Sequence, residues 1–274
     1  MSKARLIWCL LFVRGRTHRY GEHRSQCAEL HLPHRAGRHP VVVLIHGGSW
    51  RARYGKRVMR ALAHDLRKRG YAVWNVEYRR VGEGGGWPQT LEDVALAIDT
   101  LPTLDAPLDL SRTLLLGHSA GGQLALWAAS RADDGLQGVV SMAGVCDLAG
   151  GYREWRGGAV LGLMGASPEQ APERYADADP MAHLPLAIPT LLVHGREDET
   201  VSVRLSRSYA EAARAAGGEV ELVEIDGPAG RHRAHIYPEG PGWEAVLAWL
   251  GVRRRGAQAP AASERASATS SRTP

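Results

Sequence analysis

Six short stretches of this chain are apolar almost throughout, and the segments between them repeat apolar residues at three- and four-residue spacing. The six are VVVLIH (41–46), AVWNVEY (72–78), TLLLGH (113–118), GVVSMAG (138–144), TLLVHG (190–195) and VELVEI (220–225). Runs of this length without alternation are what strands look like when both faces of their sheet are covered. Helical patterns fill the intervals at 56–70, 90–101, 120–132, 203–217 and 242–250, and several stop at Gly or Pro. Strands alternating with helices imply right-handed crossovers and a mostly parallel sheet flanked by helices, an α/β architecture.

The rhythm fails in one place. Residues 147–188, rich in Gly, Pro and Trp, separate two strands without a clean period. An excursion of that length in a compact domain is usually a cap over a site. Nothing before the C-terminus reads as a linker, so residues 25–252 are expected to form one domain with the cap at about 147–188. Residues 1–24 read as a basic N-terminal extension, within which the opening stretch could also supply an edge strand. Residues 253–274, Ala/Ser/Pro-rich and without apolar periodicity, read as a disordered basic tail.

The formal charge of +5 would suggest a polyanion partner if it lay on the body of the protein. It does not: residues 1–24 carry +5 and residues 253–274 carry +4, which leaves the body between them at −4. Basic ends on an acidic body argue against nucleic-acid binding. Three cysteines, Cys9, Cys27 and Cys146, without CxxC spacing indicate neither a disulfide framework nor a zinc site, and suit a reducing, cytoplasmic setting. The opening stretch has a basic stub before a short apolar run, like a weak signal peptide. It lacks a small-residue cleavage site and is too short to span a bilayer.

Chemistry enters with GHSAG, Gly117 to Gly121. Composition alone would give about 0.2 matches to G-x-S-x-G, so the pattern is modest evidence by itself, but here it follows a strand and opens a helix, the context a nucleophile elbow requires. Ser119 would occupy the strained turn, and Gly117 and Gly121 would let strand and helix approach. The plainer reading of the same residues is a Ser N-cap beside a Gly turn. HGGSW, His46 to Trp50, lies directly beyond another strand. Its amides at Gly48 and Ser49, with that of Ala120 after the nucleophile, are candidate donors to an oxyanion. The same turn also reads structurally, with His46 pinning the loop.

A catalytic imidazole needs a carboxylate on its far nitrogen. HGREDETV (194–201) supplies Asp198 at a strand end, flanked by Glu197 and Glu199; Asp147, after an earlier strand, is the alternative acid. A base following the last strand must be His232 or His235, three residues apart in GPAGRHRAHIYPEG. Their spacing alone also suits a metal, but no E-x-x-H helix or further ligand cluster accompanies them, so neither metal nor cofactor is expected.

Together these residues resemble the α/β-hydrolase superfamily over about residues 20–252. HGGSW, GHSAGG, HGREDETV and IYPEGPGW are similar to its kynurenine formamidase and small carboxylesterase branch. The resemblance implies an α/β-hydrolase fold and a Ser-Asp-His order along the chain. In that branch a proline commonly lies six residues after the terminal histidine, and counting back from Pro238 selects His232. Arg233 and Ala234 depart from the branch, where an apolar or aromatic residue and then an acid are common. Arg231 and Arg233 would depress the basicity of His232 if they pointed inward, and would matter little if they pointed outward.

The implied activity is hydrolysis of small-molecule esters or small acyl amides through an acyl-enzyme, with an arylformamidase as the enzymatic alternative. A non-catalytic binding protein on the same scaffold is the alternative of another class. Trp50, Trp87 and Trp155, in loops or the cap, are candidates to line the substrate pocket, although tryptophans in such places also serve as packing.

Overall fold

The computed structural model describes residues 11, 13–131 and 135–256, with no side chains described beyond Val252. Eight strands form one sheet: β1 Arg16–Arg19, β2 Cys27–His31, β3 His39–Ile45, β4 Ala72–Val76, β5 Leu108–His118, β6 Leu136–Met142, β7 Thr190–Gly195 and β8 Val220–Ile225. Their spatial order is β1-β2-β4-β3-β5-β6-β7-β8. β1 and β2 pair antiparallel, as do β2 and β4, and every pairing from β4 to β8 is parallel.

Helices α1 Arg60–Lys68, α2 Gln89–Asp99, α3 Ala120–Ser130, α7 Val203–Ala215 and α8 Pro241–Gly256 cover the sheet, and α4 Leu148–Glu154, α5 Gly158–Met164 and α6 Pro172–Ala178 form the cap region. Alternate residues of the central strands feed two cores. Val41, Val43, Ile45 and Leu115 pack with α2, α3 and α7, while Val42, Leu44, Leu114 and Leu116 pack with α1 and α8. That two-sided burial is why these strands read as unbroken apolar runs. α3 is buried from Ala120 to Ala129 because the sheet lies on one side of it and the cap region on the other. A helix covered all round needs no polar face.

The six expected strands and five expected helices are present, with shifted ends. Two further strands are present: β1 is an edge strand entered from the N-terminal stretch, and β2 was not anticipated. RTHR (β1) and CAELH (β2) lack any apolar run, and β2 is buried throughout with its acid paired inside. Glu29 accepts from Arg60 of α1, at 3.1 Å from Nε, and lies 3.4 Å from His31. Burial works against the Glu29 charge, but His31 and Arg60 hold its carboxyl down at about 2. The sheet thus begins at Arg16, inside the stretch read as an extension. At the other end α8 continues to Gly256, four residues into the stretch read as a tail. The rest of that tail and most of the opening apolar run lie outside the described residues.

Candidate active site

The parallel strands all end on one side of the sheet, and the residues singled out above gather there, at the carboxyl ends where α/β sheets leave a crevice. Ser119 stands between β5 and α3 with φ 57° and ψ −122°, a conformation side chains rarely adopt. Its amide is held by Met142 O at 2.9 Å. The turn closes only because two neighbours lack side chains: a Cβ on Gly117 would strike Gly121 O, and one on Gly121 would strike Ile45 O. The strained serine is thereby presented at the tip of the elbow.

His232 reaches the serine from a 3-10 turn, His232–Ile236, that follows β8. Its Nε2 lies 3.0 Å from Ser119 Oγ, and its Nδ1 lies 2.8 Å from Asp198 Oδ2. Asp198 sits beyond β7 with its side chain buried. Its second oxygen accepts from the amides of Thr200 at 2.8 Å and Val201 at 2.9 Å. Burial opposes the charge, but the His194 and His232 imidazoles and the Val201 amide hold the carboxyl well below the usual carboxylate range. An ionised Asp198 fixes the tautomer in which Nδ1 carries the proton and Nε2 faces the hydroxyl with a lone pair.

The alternatives fall elsewhere. His235 is buried, its Nε2 has no hydrogen-bond partner among the described residues, and Gly242 packs beside Nδ1 of its ring. Burial, reinforced by His194, pushes it down to about 4, a neutral packing residue rather than a base. Asp147 is the N-cap of α4, where its side chain accepts from Gly150 N, while the partner of His232 is Asp198.

HGGSW forms a left-handed turn, with φ 125° at Gly48, 54° at Ser49 and 55° at Trp50. Among the described residues, the amides of Gly48, Ser49 and Ala120 make no main-chain bond, so they remain available to a ligand. His46 pins this turn. Its Nε2 lies 2.7 Å from Glu77 Oε1, its Nδ1 lies 2.8 Å from Gly47 O, and its ring stacks on Tyr78 at 4.3 Å.

Two chambers meet at Ser119. One, of about 150 Å³, is lined by Trp50, Ala120, Val145, Trp155, Ala159 and Val201. The other, of about 190 Å³, is lined by Gly48, Tyr54, Val58, His118, His232, Arg233 and Ile236. Ser49, Ser119 and Thr200 border both. Trp50 and Trp155 therefore face the site as anticipated, but Trp87 does not. Its indole N–H donates to Asp177 at 2.7 Å, Arg174 lies over its ring, and its amide donates to Leu163 O at 2.8 Å. Trp87 fastens the loop after β4 to the cap region.

Three functional neighbours went unread in the sequence. His118, inside GHSAG itself, donates from Nε2 to His232 O at 3.0 Å and so ties the elbow to the histidine loop. Burial, with His232 alongside, keeps its imidazole well below the ordinary histidine range. His194 flanks Asp198 at 3.5 Å and is itself held by Ser206 Oγ at 2.7 Å. Glu77 secures His46. For the first two the signal was present, since each precedes a motif residue at a strand end. Among the described residues no cluster of three or more His, Cys, Asp or Glu is placed to hold a metal ion, and no helix is long and apolar enough to cross a membrane.

Comparison with known proteins yields a match to the BD-FAE family over residues 29–212. The chain is 26% identical to isoprenylcysteine alpha-carbonyl methylesterase ICME of Arabidopsis thaliana, across 76% of this chain and 54% of that protein. It is 27% identical to the probable carboxylic ester hydrolase LipM of Mycobacterium tuberculosis, across 65% of this chain and 46% of the other. It thus spans about half the length of the curated relatives it matches. Among solved structures, esterase B of Lactobacillus rhamnosis superposes with a TM-score of 0.76 at 21% identity, over 92% of this chain and 90% of that one. A truncated carbohydrate esterase from gut microbiota gives 0.76 at 18% identity, over 89% and 98% respectively.

Proposed function

The chain belongs to the BD-FAE family of the α/β-hydrolase superfamily, and on that premise we propose that it is a serine hydrolase cleaving carboxylic esters or small acyl amides. The observation that carries this reading is the unbroken relay from Ser119 Oγ to His232 Nε2 at 3.0 Å and from His232 Nδ1 to Asp198 at 2.8 Å. In the proposed mechanism His232 takes the hydroxyl proton as Ser119 attacks the carbonyl. The amides of Gly48, Ser49 and Ala120 receive the oxyanion. The imidazolium, steadied by Asp198, then gives its proton to the leaving alcohol or amine. Water enters, His232 again acts as base, and the acyl group leaves Ser119 as a carboxylic acid.

Arylformamide hydrolysis would use the same groups, and HGGSW is the feature that suggests it. The chamber walled by Trp50, Val145 and Trp155 favours esters instead: at about 150 Å³ it is far larger than a formyl group requires, and a cavity of about that size holds a benzene ring. Cytoplasmic residence belongs to the same proposal, supported by the buried free thiols of Cys27 and Cys146.

A fluorophosphonate probe tests the mechanism. Wild-type protein should be labelled and Ser119→Ala should not. Equal labelling of both, or of neither, would return the scaffold to a binding role. On substrates, p-nitrophenyl acyl esters should exceed N-formylkynurenine in kcat/KM, and the opposite order would establish the formamidase.

A further inference from the structure

We propose that the leaving group of the natural substrate carries a negative charge, in its simplest form a carboxylate on the alcohol, and that Arg233 receives it. The inference rests on the serine-hydrolase reading and adds to it which half of the substrate is charged.

The two chambers can be told apart by what the reaction demands. The group that protonates the leaving oxygen must lie beside it. His232 lines the larger chamber and not the smaller, so the alcohol belongs in the larger and the acyl group against Trp50 and Trp155. The walls then differ in charge. The acyl chamber is lined by Ser, Trp, Ala, Val and Thr, with no ionisable side chain apart from the nucleophile. The alcohol chamber contains Arg233, which is always cationic, and no Asp or Glu.

Arg233 is also uncommitted. Arg196, Arg204 and Arg207, exposed elsewhere, are each taken up by Glu224, Glu154 or Asp226. Among the described residues Arg233 is in no ion pair, although it directly follows the histidine that faces Ser119. An exposed arginine that lines this chamber beside Tyr54, Val58 and Ile236 is placed to pair with a carboxylate in a fork geometry. Its side chain is exposed, so solvent screens the attraction and the effect is one of selectivity rather than of overall rate.

The test compares 4-carboxybenzyl butyrate with the neutral 4-carbamoylbenzyl butyrate, and benzyl hydrogen succinate, which places the charge on the acyl side, with benzyl butyrate. In wild-type protein the carboxylated alcohol should be favoured in kcat/KM by about fivefold at low salt. That ratio should fall toward one at about 0.5 M salt. The succinate should show no such advantage. Arg233→Lys should keep part of the ratio, Arg233→Gln should abolish it and Arg233→Glu should invert it, while Arg207→Gln leaves it as in wild type. A wild-type ratio of one or below, with the carbamoyl ester turned over, overturns the inference alone and needs no variant. Persistence of the ratio in Arg233→Gln overturns it as well. Turnover of none of the four esters removes the esterase reading and this inference with it.

Discussion

The crevice holds two buried imidazole–carboxylate pairs of nearly the same length, His232–Asp198 at 2.8 Å and His46–Glu77 at 2.7 Å. Both histidines follow parallel strands, and both carboxylates are charged against the opposition of burial. Their difference lies on the second ring nitrogen. That of His232 faces a hydroxyl, and that of His46 faces the carbonyl of Gly47, with Tyr78 stacked over the ring. A histidine whose two nitrogens both face fixed acceptors turns neither of them toward a nucleophile's hydroxyl. The pairing with a carboxylate is therefore common to proton transfer and to scaffolding, and the remaining contact decides which one a histidine performs.

Removing each pair should separate the two roles. His232→Ala should lose on the order of 10³-fold or more in kcat, because no other group can take the serine proton. Glu77→Gln keeps the shape but loosens His46 and with it the oxyanion turn, so kcat should fall by about tenfold, less than the loss of a direct oxyanion donor. Its effect should also appear in thermal unfolding, with Tm lower by a few degrees, since a loss of 1 kcal/mol is worth about 2–4 °C in a protein approaching this size. Steady-state kinetics with differential scanning fluorimetry checks both. Equal kinetic losses would erase the distinction drawn here.

A sharper comparison sets His232 against His235, three residues on. His235→Ala should retain kcat within about threefold, since His235 touches neither Ser119 nor solvent-borne substrate. The reverse ranking of the two alanine variants would move the base to His235.

The smallest expected effect concerns acid. Asp198 and Glu77 both have carboxyls held below their ordinary range, so each contributes stability that is complete above the unfolded-state value of about 4. That stability is lost as pH falls toward the depressed folded value. Asp198→Asn cannot titrate there, so its Tm should decline less steeply than that of wild type as pH drops from about 5 to 3. Parallel declines would mean that Asp198 is no more acidic folded than unfolded.

What the sequence revealed follows a physical pattern. The central strands were legible because two-sided burial excludes polar residues from them, and the elbow was legible because only glycine fits at Gly117 and Gly121. β2 was missed because its burial is polar, with Glu29 tolerable inside only because Arg60 arrives from another element, and β1, largely exposed, has no apolar run to mark it. Trp87 was misassigned for a related reason, since a tryptophan in a loop looks the same whether it faces substrate or, as here, clamps Asp177 of the cap region.

Local spacing by itself determined the α/β alternation and the strained serine, which follow from burial along a single element and from short-range sterics. The candidate order of serine, acid and histidine came from motifs at successive strand ends together with the resemblance to a known superfamily. Only the tertiary structure decided that Glu77 braces the HGGSW turn and that Arg233 opens onto the chamber His232 shares, and it alone supplied the contact of His232, which Pro238 had singled out, with Ser119. Those relations join residues 31 to 113 positions apart in the chain, or the two sides of one short turn, and only the packing of separate strand ends against each other sets the distances between them.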